Sequence, residues 1–169
     1  MEEILDIVNQ NDEVVGKDFR KNIYQNGLPK NRYIRYANIF IFDADGLLLL
    51  PLRSSTKNIF PNCYDFSCGE HLFSGETYEQ AAKRGAFEEL GLKNIKLEFL
   101  GKLSPQDGLS GFMYIYKTLL SDKKINFNHE VKSLHWYKID DVIKMAKKEP
   151  SKFKDDLLIS LNWYKSKFN

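Results

Sequence analysis

The sequence has 169 residues, enough for one compact domain and few for two. Hydrophobic residues make up 43% and charged residues 28%, a balance that excludes a disordered, collagen-like or coiled-coil chain. The net charge of +2 is too small to indicate a nucleic-acid or membrane partner. There is no long apolar run or signal-peptide pattern, and Cys63 and Cys68 are most simply free thiols, so we expect a cytoplasmic protein.

The first part of the chain predicts two hairpins. Apolar stretches flank a group of turn-forming residues within residues 5–16. Residues 17–32 predict a short helix followed by a loop. Two apolar runs, at residues 36–42 and 47–50, then flank an Asp-Gly turn, which is a strong hairpin signal.

The middle of the chain predicts a long loop followed by a helix. Residues 53–76 are rich in polar and turn-forming residues, and a loop of this kind often carries functional side chains. Residues 79–90 predict a helix. Thr77, with a glutamine three residues later, fits a capping box at its start, and Gly91 fits the residue that ends it.

The last part of the chain predicts three strands followed by helices. The strands are expected at residues 96–103, 112–119 and 133–138, and residues 139–167 are expected to be mostly helical, divided by Pro150. Mixed strands and helices indicate an α/β or α+β class with a mixed sheet. We expect a single domain over residues 1–169, with an N-terminal hairpin and extension (1–35), a core (36–142) and C-terminal helices (143–169).

Three charged side chains are predicted to lie close together near the end of the helix. Residues one turn apart share a helix face, which groups Arg84, Glu88 and Glu89. The partial negative charge of a helix C-terminus disfavours carboxylates there by a few tenths to about 1 kcal/mol. A bound divalent cation such as Mg²⁺ would reverse that penalty. Taken alone, however, the pair is more often a solvated acidic surface with an Arg84–Glu88 ion pair.

The wider segment resembles the signature of the Nudix family. Residues 69–92 read GEHLFSGETYEQAAKRGAFEELGL. The family pattern is Gly, five residues, Glu, seven residues, Arg-Glu, an aliphatic residue, one residue, Glu-Glu, one residue, Gly, aliphatic. The positions in register with it are Glu76, Arg84, Ala86, Glu88, Glu89, Gly91 and Leu92. The resemblance covers about residues 36–142 and implies a mixed β-sheet sandwiched between helices. Residues 6–16 further resemble the branch related to isopentenyl-diphosphate isomerase.

The resemblance implies a metal-dependent hydrolase of diphosphate linkages, acting through a metal-activated water on a small molecule, most simply a nucleotide. Glu88 and Glu89 would be the main ligands of Mg²⁺ or Mn²⁺, helped by a backbone carbonyl near Gly69 or Glu70. The sequence leaves the substrate undefined, and a homodimer is possible. Aromatic residues available to stack on a base, although core packing is their more common role, are Tyr33, Tyr36 and Phe112.

The same resemblance implies supporting roles around the metal. Arg84 would pair with a carboxylate and orient it, and Glu76 would belong to that network. The family often takes a further carboxylate from a later loop, for which Glu130 is the first candidate and Asp107 the second. The cations expected to neutralise the diphosphate are Arg53 and Lys57.

Two positions depart from the family pattern. The opening glycine falls on Glu70, with Gly69 beside it, and the glutamate that should follow Arg84 is Gly85. A mid-helix glycine also costs about 1 kcal/mol relative to alanine. Three explanations stay open: weakened activity, replacement by another acid such as Glu130, or space for a ligand. On the first, which we favour from sequence, changing Gly85 to Glu should raise the hydrolysis rate.

Two other functions are compatible with the sequence. The isomerase resemblance implies a Cys-Gly-His motif, but this chain has Cys68-Gly-Glu-His71, with one residue inserted. In extended backbone that insertion turns a side chain to the opposite face, so Cys68 is more simply a small buried residue. The second alternative follows from Gly85, because a degenerate Nudix domain could bind a nucleotide without turning it over.

Overall fold

The computed structural model describes residues 2–168, and within them the chain forms eight strands and four helices. Met1 and Asn169, the ends of the expected single domain, lie outside the described residues. In chain order the elements are β1 (Ile4–Val8), β2 (Val14–Phe19), α1 (Arg20–Asn26), β3 (Arg35–Phe42), β4 (Leu48–Arg53), β5 (Cys68–His71), α2 (Tyr78–Leu90), β6 (Glu98–Leu103), β7 (Phe112–Leu119), β8 (Val131–Tyr137), α3 (Ile139–Lys148) and α4 (Asp155–Phe168).

The central sheet is mixed, as expected from the sequence. Its strands run in the order β6, β7, β3, β4, β8, and β5 pairs with the N-terminal half of β3. Strands β3 and β7 are parallel over their full lengths, whereas the other pairs in this sheet are antiparallel. Strands β1 and β2 form a separate two-stranded ribbon.

Alternation along β3 places a hydrophobic core on each face of the sheet. Ala37, Ile39 and Ile41 pack against the small residues of α2. Phe40 and Phe42 point the other way and pack against α3 and α4. All five side chains are buried, as expected for a central strand covered on both faces. The sheet is therefore sandwiched between helices, which confirms the fold class.

Helix α2 begins and ends at the capping residues that the sequence predicts. The Thr77 side chain accepts a bond from the backbone N–H of Gln80, whose side chain in turn accepts from the backbone N–H of Thr77. Gly91 ends the helix in the left-handed conformation, at φ 67°. The buried side of α2 consists mostly of small residues, among them Ala81, Ala82 and Ala86, so the helix lies close to the sheet.

The N-terminal ribbon is attached to the core by two aspartates. Asp6 accepts bonds from the Ser74 hydroxyl at 2.7 Å and from the backbone N–H of Gly75 at 3.0 Å, in the loop that leads into α2. Asp12, in the turn of the ribbon, binds Arg35 and Lys102, each at 2.6 Å. The ribbon therefore braces both the central sheet and the approach to α2.

Most of the expected elements are confirmed, with one correction. The loop expected at 53–76 contains strand β5, which pairs with β3 and makes part of the segment buried. The C-terminal helices begin at Ile139, as expected, and a short 3₁₀ turn at Pro150–Lys152 divides them. Within residues 2–168, no helix combines the length and apolarity needed to cross a bilayer.

Candidate active site

A cavity of about 310 Å³ opens where β5, the end of α2 and the loops after β4 and β7 meet. Six of the residues singled out from the sequence for carboxylate, metal or orienting roles line it: Gly69, Glu70, Arg84, Glu88, Glu89 and Glu130. Both expected substrate cations, Arg53 and Lys57, line it as well. The topology therefore brings together residues that lie up to 77 positions apart in the chain.

Arg84 is the centre of an ionic network beside this cavity. Its guanidinium binds both carboxylate oxygens of Glu76 at 3.0 Å and donates to the backbone carbonyl of His71 at 2.8 Å. It also contacts Glu70 and Glu88, each at 3.3 Å. Burial alone would lower the pKa of Arg84, but its bonds to Glu76 and its attraction to Glu70 raise it, so the cation is permanent.

Glu76 holds the loop ahead of α2 as well as Arg84. Its carboxylate accepts the backbone N–H of Phe73 at 2.9 Å, which closes the turn between β5 and the helix. The Phe73 ring lies against the Arg84 guanidinium, 3.8 Å from its centroid. The supporting position expected for Glu76 therefore matches its contacts.

Glu88 and Glu89 lie in the last turn of α2, and both line the cavity. Glu88 is exposed and turned to Arg84, whereas Glu89 is half-buried. The backbone carbonyls of both residues accept bonds from Asn128, in the loop after β7. That loop therefore satisfies the end of the helix and fixes where the two carboxylates are presented.

The environment of Glu89 disfavours its negative charge. Its pKa is raised to about 8, first by burial and then by the neighbouring carboxylates. In order of effect those neighbours are Glu70, Asp65 and Glu130, and the cation that opposes them is Lys57. A half-buried acid surrounded by three others is unfavourable as an anion unless positive charge is supplied.

Gly85 faces β5, and its neighbours explain why no side chain is present there. A Cβ built at position 85 would lie 2.3 Å from Cγ of Glu70, 3.3 Å from its Cβ and 3.0 Å from Sγ of Cys68. The space is thus already filled by the side chain of Glu70. The expectation that Gly85→Glu would raise activity assumes free space beside position 85, and this assumption is wrong because the side chain of Glu70 occupies that space. The effect of the substitution on activity stays a prediction.

Glu130 reaches the site from the loop before β8. Its carboxylate binds Lys57 at 2.8 Å, and its backbone carbonyl accepts from Ser54 at 2.8 Å. Asp107, the second candidate, does not line the cavity: its carboxylate binds the backbone N–H and the hydroxyl of Ser104. Of the two candidates, only Glu130 is positioned at the cavity.

Arg53 is less available to a ligand than Lys57. Its guanidinium binds Asp65 at 2.7 Å and donates to the backbone carbonyls of Ile59 and Phe60. These bonds fix the loop after β4. Lys57, by contrast, has Glu130 as its partner and stands at the mouth of the cavity.

Further cavity residues were not singled out from the sequence. Arg20 and Tyr24 come from α1, His71 from the end of β5, and Lys154 precedes α4. The Tyr24 hydroxyl bonds Nε2 of His71 at 2.7 Å. Burial lowers the pKa of His71 well below its usual value, and the cations around it lower it further, so this imidazole is neutral. No local motif marks these residues, because only the fold brings them to the cavity.

Cys68 belongs to the core and does not line the cavity. It is 1% exposed and packs among the residues between the sheet and α2. Burial raises the pKa of its thiol well above the usual value, and the carboxylates of Glu89 and Glu70 raise it further. The expectation of a small buried residue is confirmed, and Cys63 is likewise a free buried thiol.

The donor set at the cavity suits a hard divalent cation. Glu70, Glu88 and Glu89 line one cavity together with Gly69 of β5, and carboxylate and carbonyl oxygens are the ligands that Mg²⁺ and Mn²⁺ prefer. Over residues 2–168, no three acidic, histidine or cysteine side chains already stand as a formed ligand cluster. The Glu88 carboxylate is paired with Arg84, so it would have to rotate to take part in such a ligand cluster.

Comparisons with known proteins agree with this fold. The NUDIX domain model matches residues 32–157. An uncharacterized Nudix hydrolase from Nostoc sp. is 39% identical over 154 residues, which cover 89% of each chain. A crystal structure of a Deinococcus radiodurans protein has a TM-score of 0.84 and 34% identity, and the match covers 99% of this chain and 100% of that one.

An α+β sandwich that presents the paired glutamates of a signature helix to a cavity is the architecture of an enzyme that cleaves diphosphate linkages. The chain belongs to the Nudix hydrolase family. Enzymes of this family typically use divalent metals. The chain is also similar to isopentenyl-diphosphate Delta-isomerase 1 of Mus musculus, with 30% identity over 166 residues, which cover 86% of this chain and 73% of the mouse protein.

Proposed function

We propose that this enzyme hydrolyses a diphosphate linkage in a nucleotide or nucleotide-like small molecule and that it requires Mg²⁺ or Mn²⁺. The observation that best supports this proposal is the pair Glu88 and Glu89 at the cavity, at the spacing of the family signature. Glu89 is half-buried, and the neighbouring acids Glu70, Asp65 and Glu130 disfavour its charge while Lys57 offsets part of their effect. A divalent cation would supply positive charge and would be held by oxygen ligands of the preferred kind.

Each residue has a proposed part in the reaction. Glu88 and Glu89 hold the metal, with a backbone carbonyl near Gly69 or Glu70. The metal, when bound, neutralises the diphosphate and lowers the pKa of a water that attacks phosphorus. Arg84 orients the carboxylates that it contacts, and Glu76 holds Arg84 in place.

Residues on the opposite wall are proposed to hold the substrate. Lys57 neutralises a phosphate oxygen, for which it would exchange its present partner Glu130. Glu130, once released, completes the acidic side of the site. Arg53 acts chiefly by fixing the loop that carries Lys57, because its own N–H groups are bound within that loop.

An isomerase activity is the second candidate, supported by the similarity to the mouse isomerase. Position 68 argues against it, because the Cys68 thiol is buried in the core with a raised pKa and does not line the cavity. A thiol in that place would need a rearrangement of β5 before it could exchange a proton with a bound substrate.

The test is a substrate screen over nucleoside diphosphates and triphosphates, nucleotide sugars, dinucleotides and isoprenoid diphosphates. Phosphate or pyrophosphate release would be measured with Mg²⁺, with Mn²⁺ and with excess EDTA, beside a Glu89→Gln variant. We expect hydrolysis of at least one nucleotide class that stops with EDTA and falls sharply in the variant.

Three results would contradict the proposal. Full activity in EDTA would exclude a metal mechanism. Double-bond migration in isopentenyl diphosphate, followed by proton NMR, would favour the isomerase. Saturable binding of a nucleotide with no turnover under any metal would identify a degenerate binding domain.

A further inference from the structure

The two departures from the family signature lie against each other in the structure. The signature expects glycine where this chain has Glu70, and glutamate where it has Gly85. A Cβ added to Gly85 would come within 2.3 Å of Cγ of Glu70. The side chain of Glu70, at the position of the expected glycine, therefore fills the space beside Gly85, at the position of the expected glutamate.

Strand alternation explains why Glu70 points toward Gly85. Strand β5 pairs with β3 so that Ala37 lies opposite Glu70 and Ile39 opposite Cys68. Residues two apart in a strand share a face, and both Glu70 and Cys68 lie within contact distance of the position that a Cβ at Gly85 would take. The stem of Glu70 thus runs beneath α2 at the turn where the family glutamate would begin.

The carboxylate at the end of that stem lies beside Arg84 and close to Glu88. It is 3.3 Å from Nη1 of Arg84, and Glu88 lies at the same distance from the same nitrogen. The Glu70 side chain is 17% exposed and lines the cavity with Glu88 and Glu89.

We propose that Glu70 supplies from strand β5 the metal-binding carboxylate that the family signature places on the helix at position 85. Glycine and glutamate have exchanged places across the contact between β5 and α2, so the site keeps its number of acids. This inference rests on the proposed function for the identity of the ligand as a divalent cation. The replacement acid is therefore Glu70, not Glu130.

The first experiment measures Mn²⁺ binding, without substrate, by the electron paramagnetic resonance signal of the free ion. Glu70→Gln keeps the stem against Gly85 and removes only the charge. We expect Mn²⁺ affinity to fall by at least roughly 10-fold, because losing even a group that only orients a metal ligand typically costs about 10- to 100-fold. The matched control is Glu79→Gln. Glu79 lies in α2, where its exposed side chain is paired with Lys83, so this variant should bind Mn²⁺ as the wild type does.

The second experiment moves the carboxylate back to the helix. Glu70→Gly alone should lose affinity, and so should Gly85→Glu alone, because its side chain meets Glu70. The double variant E70G/G85E should recover Mn²⁺ affinity and hydrolysis to near the wild-type level. The control E70G/G85Q has the same shape without the charge and should stay weak.

The outcomes separate this inference from the proposed function. Wild-type affinity in a folded Glu70→Gln variant, or equal affinity in the two double variants, would overturn it, and so would absence of Mn²⁺ binding by the wild type. Recovery of Mn²⁺ binding by E70G/G85E without hydrolysis of any tested substrate would support the exchange and contradict the proposed function. Thermal unfolding establishes that each protein is folded, and if the double variants unfold, Glu70→Gln alone decides.

Discussion

At the scale of single residues, the charge of Glu89 is expected to matter more for turnover than for folding. Glu89→Gln keeps the size and polarity of the side chain and removes the anion that we propose as a metal ligand. We predict that kcat falls about 100-fold or more, equivalent to roughly 3 kcal/mol of transition-state stabilisation. Steady-state kinetics with the best substrate of the screen would measure this, with circular dichroism to follow the fold. Unchanged turnover would place the metal elsewhere.

The same carboxylate predicts how the stability of the metal-free protein depends on pH. The folded-state pKa of Glu89 is raised from 4.5 to about 8, so the folded protein holds this proton more tightly than the unfolded chain does. The stabilising effect is fully present below about pH 4.5 and is lost as the pH rises toward 8. We expect urea unfolding in EDTA to show this loss, and Glu89→Gln to show a smaller one.

A cation tests the origin of that pH dependence. Added Mg²⁺ should restore stability at pH 8, because a ligand that binds the folded state stabilises it. If the free energy of unfolding changes equally with pH in the wild type and in Glu89→Gln, groups other than Glu89 cause the pH dependence. Glu79→Gln again serves as the matched control, since its carboxylate is exposed and paired with Lys83.

At this scale the sequence predicted residues that share a helix and missed residues that meet across the fold. Helical spacing was enough to group Arg84 with Glu88, and the structure has that ion pair. It was not enough to connect Glu70 with Gly85. Their contact depends on the pairing of β5 with β3, which no local pattern specifies.

At the scale of elements, α2 contains a glycine whose cost depends on its neighbour in β5. Alanine is preferred to glycine within a helix by about 1 kcal/mol. At position 85 that gain is opposed by the close approach of Glu70. We predict that Gly85→Ala stabilises a Glu70→Gly protein by up to about 1 kcal/mol and gives a smaller gain, or a loss, in the wild type.

Urea unfolding of the four proteins measures that coupling. The comparison needs no metal and no substrate, so it tests the packing at this contact independently of the chemistry. Equal effects of Gly85→Ala in both backgrounds would show that the side chain of Glu70 moves away from the contact without cost.

The ends of α2 were predictable because capping is local, whereas β5 was not. Thr77 and Gly91 act on backbone groups within a few residues, so their chemistry is legible in the sequence. Strand β5 has four residues, Cys68–His71, and includes both Gly69 and Glu70. Its extended form is set by hydrogen bonds to β3, so its propensities alone did not distinguish it from the surrounding loop.

At the scale of the whole molecule, Asp12 is the main polar attachment of the N-terminal ribbon. Its carboxylate is 9% exposed, binds Arg35 and Lys102 and accepts a bond from the Tyr78 hydroxyl. Its backbone also adopts φ 64°, which alanine disfavours. We predict that Asp12→Ala lowers the free energy of unfolding by about 2 to 4 kcal/mol.

Two control variants separate the causes of that loss. Asp12→Asn keeps a residue that tolerates the left-handed conformation and keeps one acceptor oxygen, so the difference between Asp and Asn measures chiefly the contribution of the negative charge. Glu98→Ala removes an exposed acid 3.9 Å from Lys117 and should cost less than about 0.5 kcal/mol. An Asp12→Ala effect as small as that of Glu98→Ala would mean that the other contacts of the ribbon, including those of Asp6, hold it without Asp12.

The overall class was predictable from the number and spacing of the elements, but the order of strands was not. The adjacent, parallel strands β3 and β7 start 77 residues apart, at Arg35 and Phe112. Apolar runs identify both as strands without indicating which strand is the neighbour of which. The family resemblance supplied that architecture, and the register of each pair is known only from the structure.

The attachment of the ribbon sets an order of assembly during synthesis. Asp6 bonds to Ser74, 68 residues later, and Asp12 to Lys102, 90 residues later. At a synthesis rate of about 5 to 20 residues per second, roughly 5 to 20 s separate the ribbon from its last partner. A two-stranded ribbon is only marginally stable by itself in water. The ribbon is therefore synthesised early but gains its last contact late. Until Lys102 has left the ribosome, the ribbon stays accessible to proteases and chaperones.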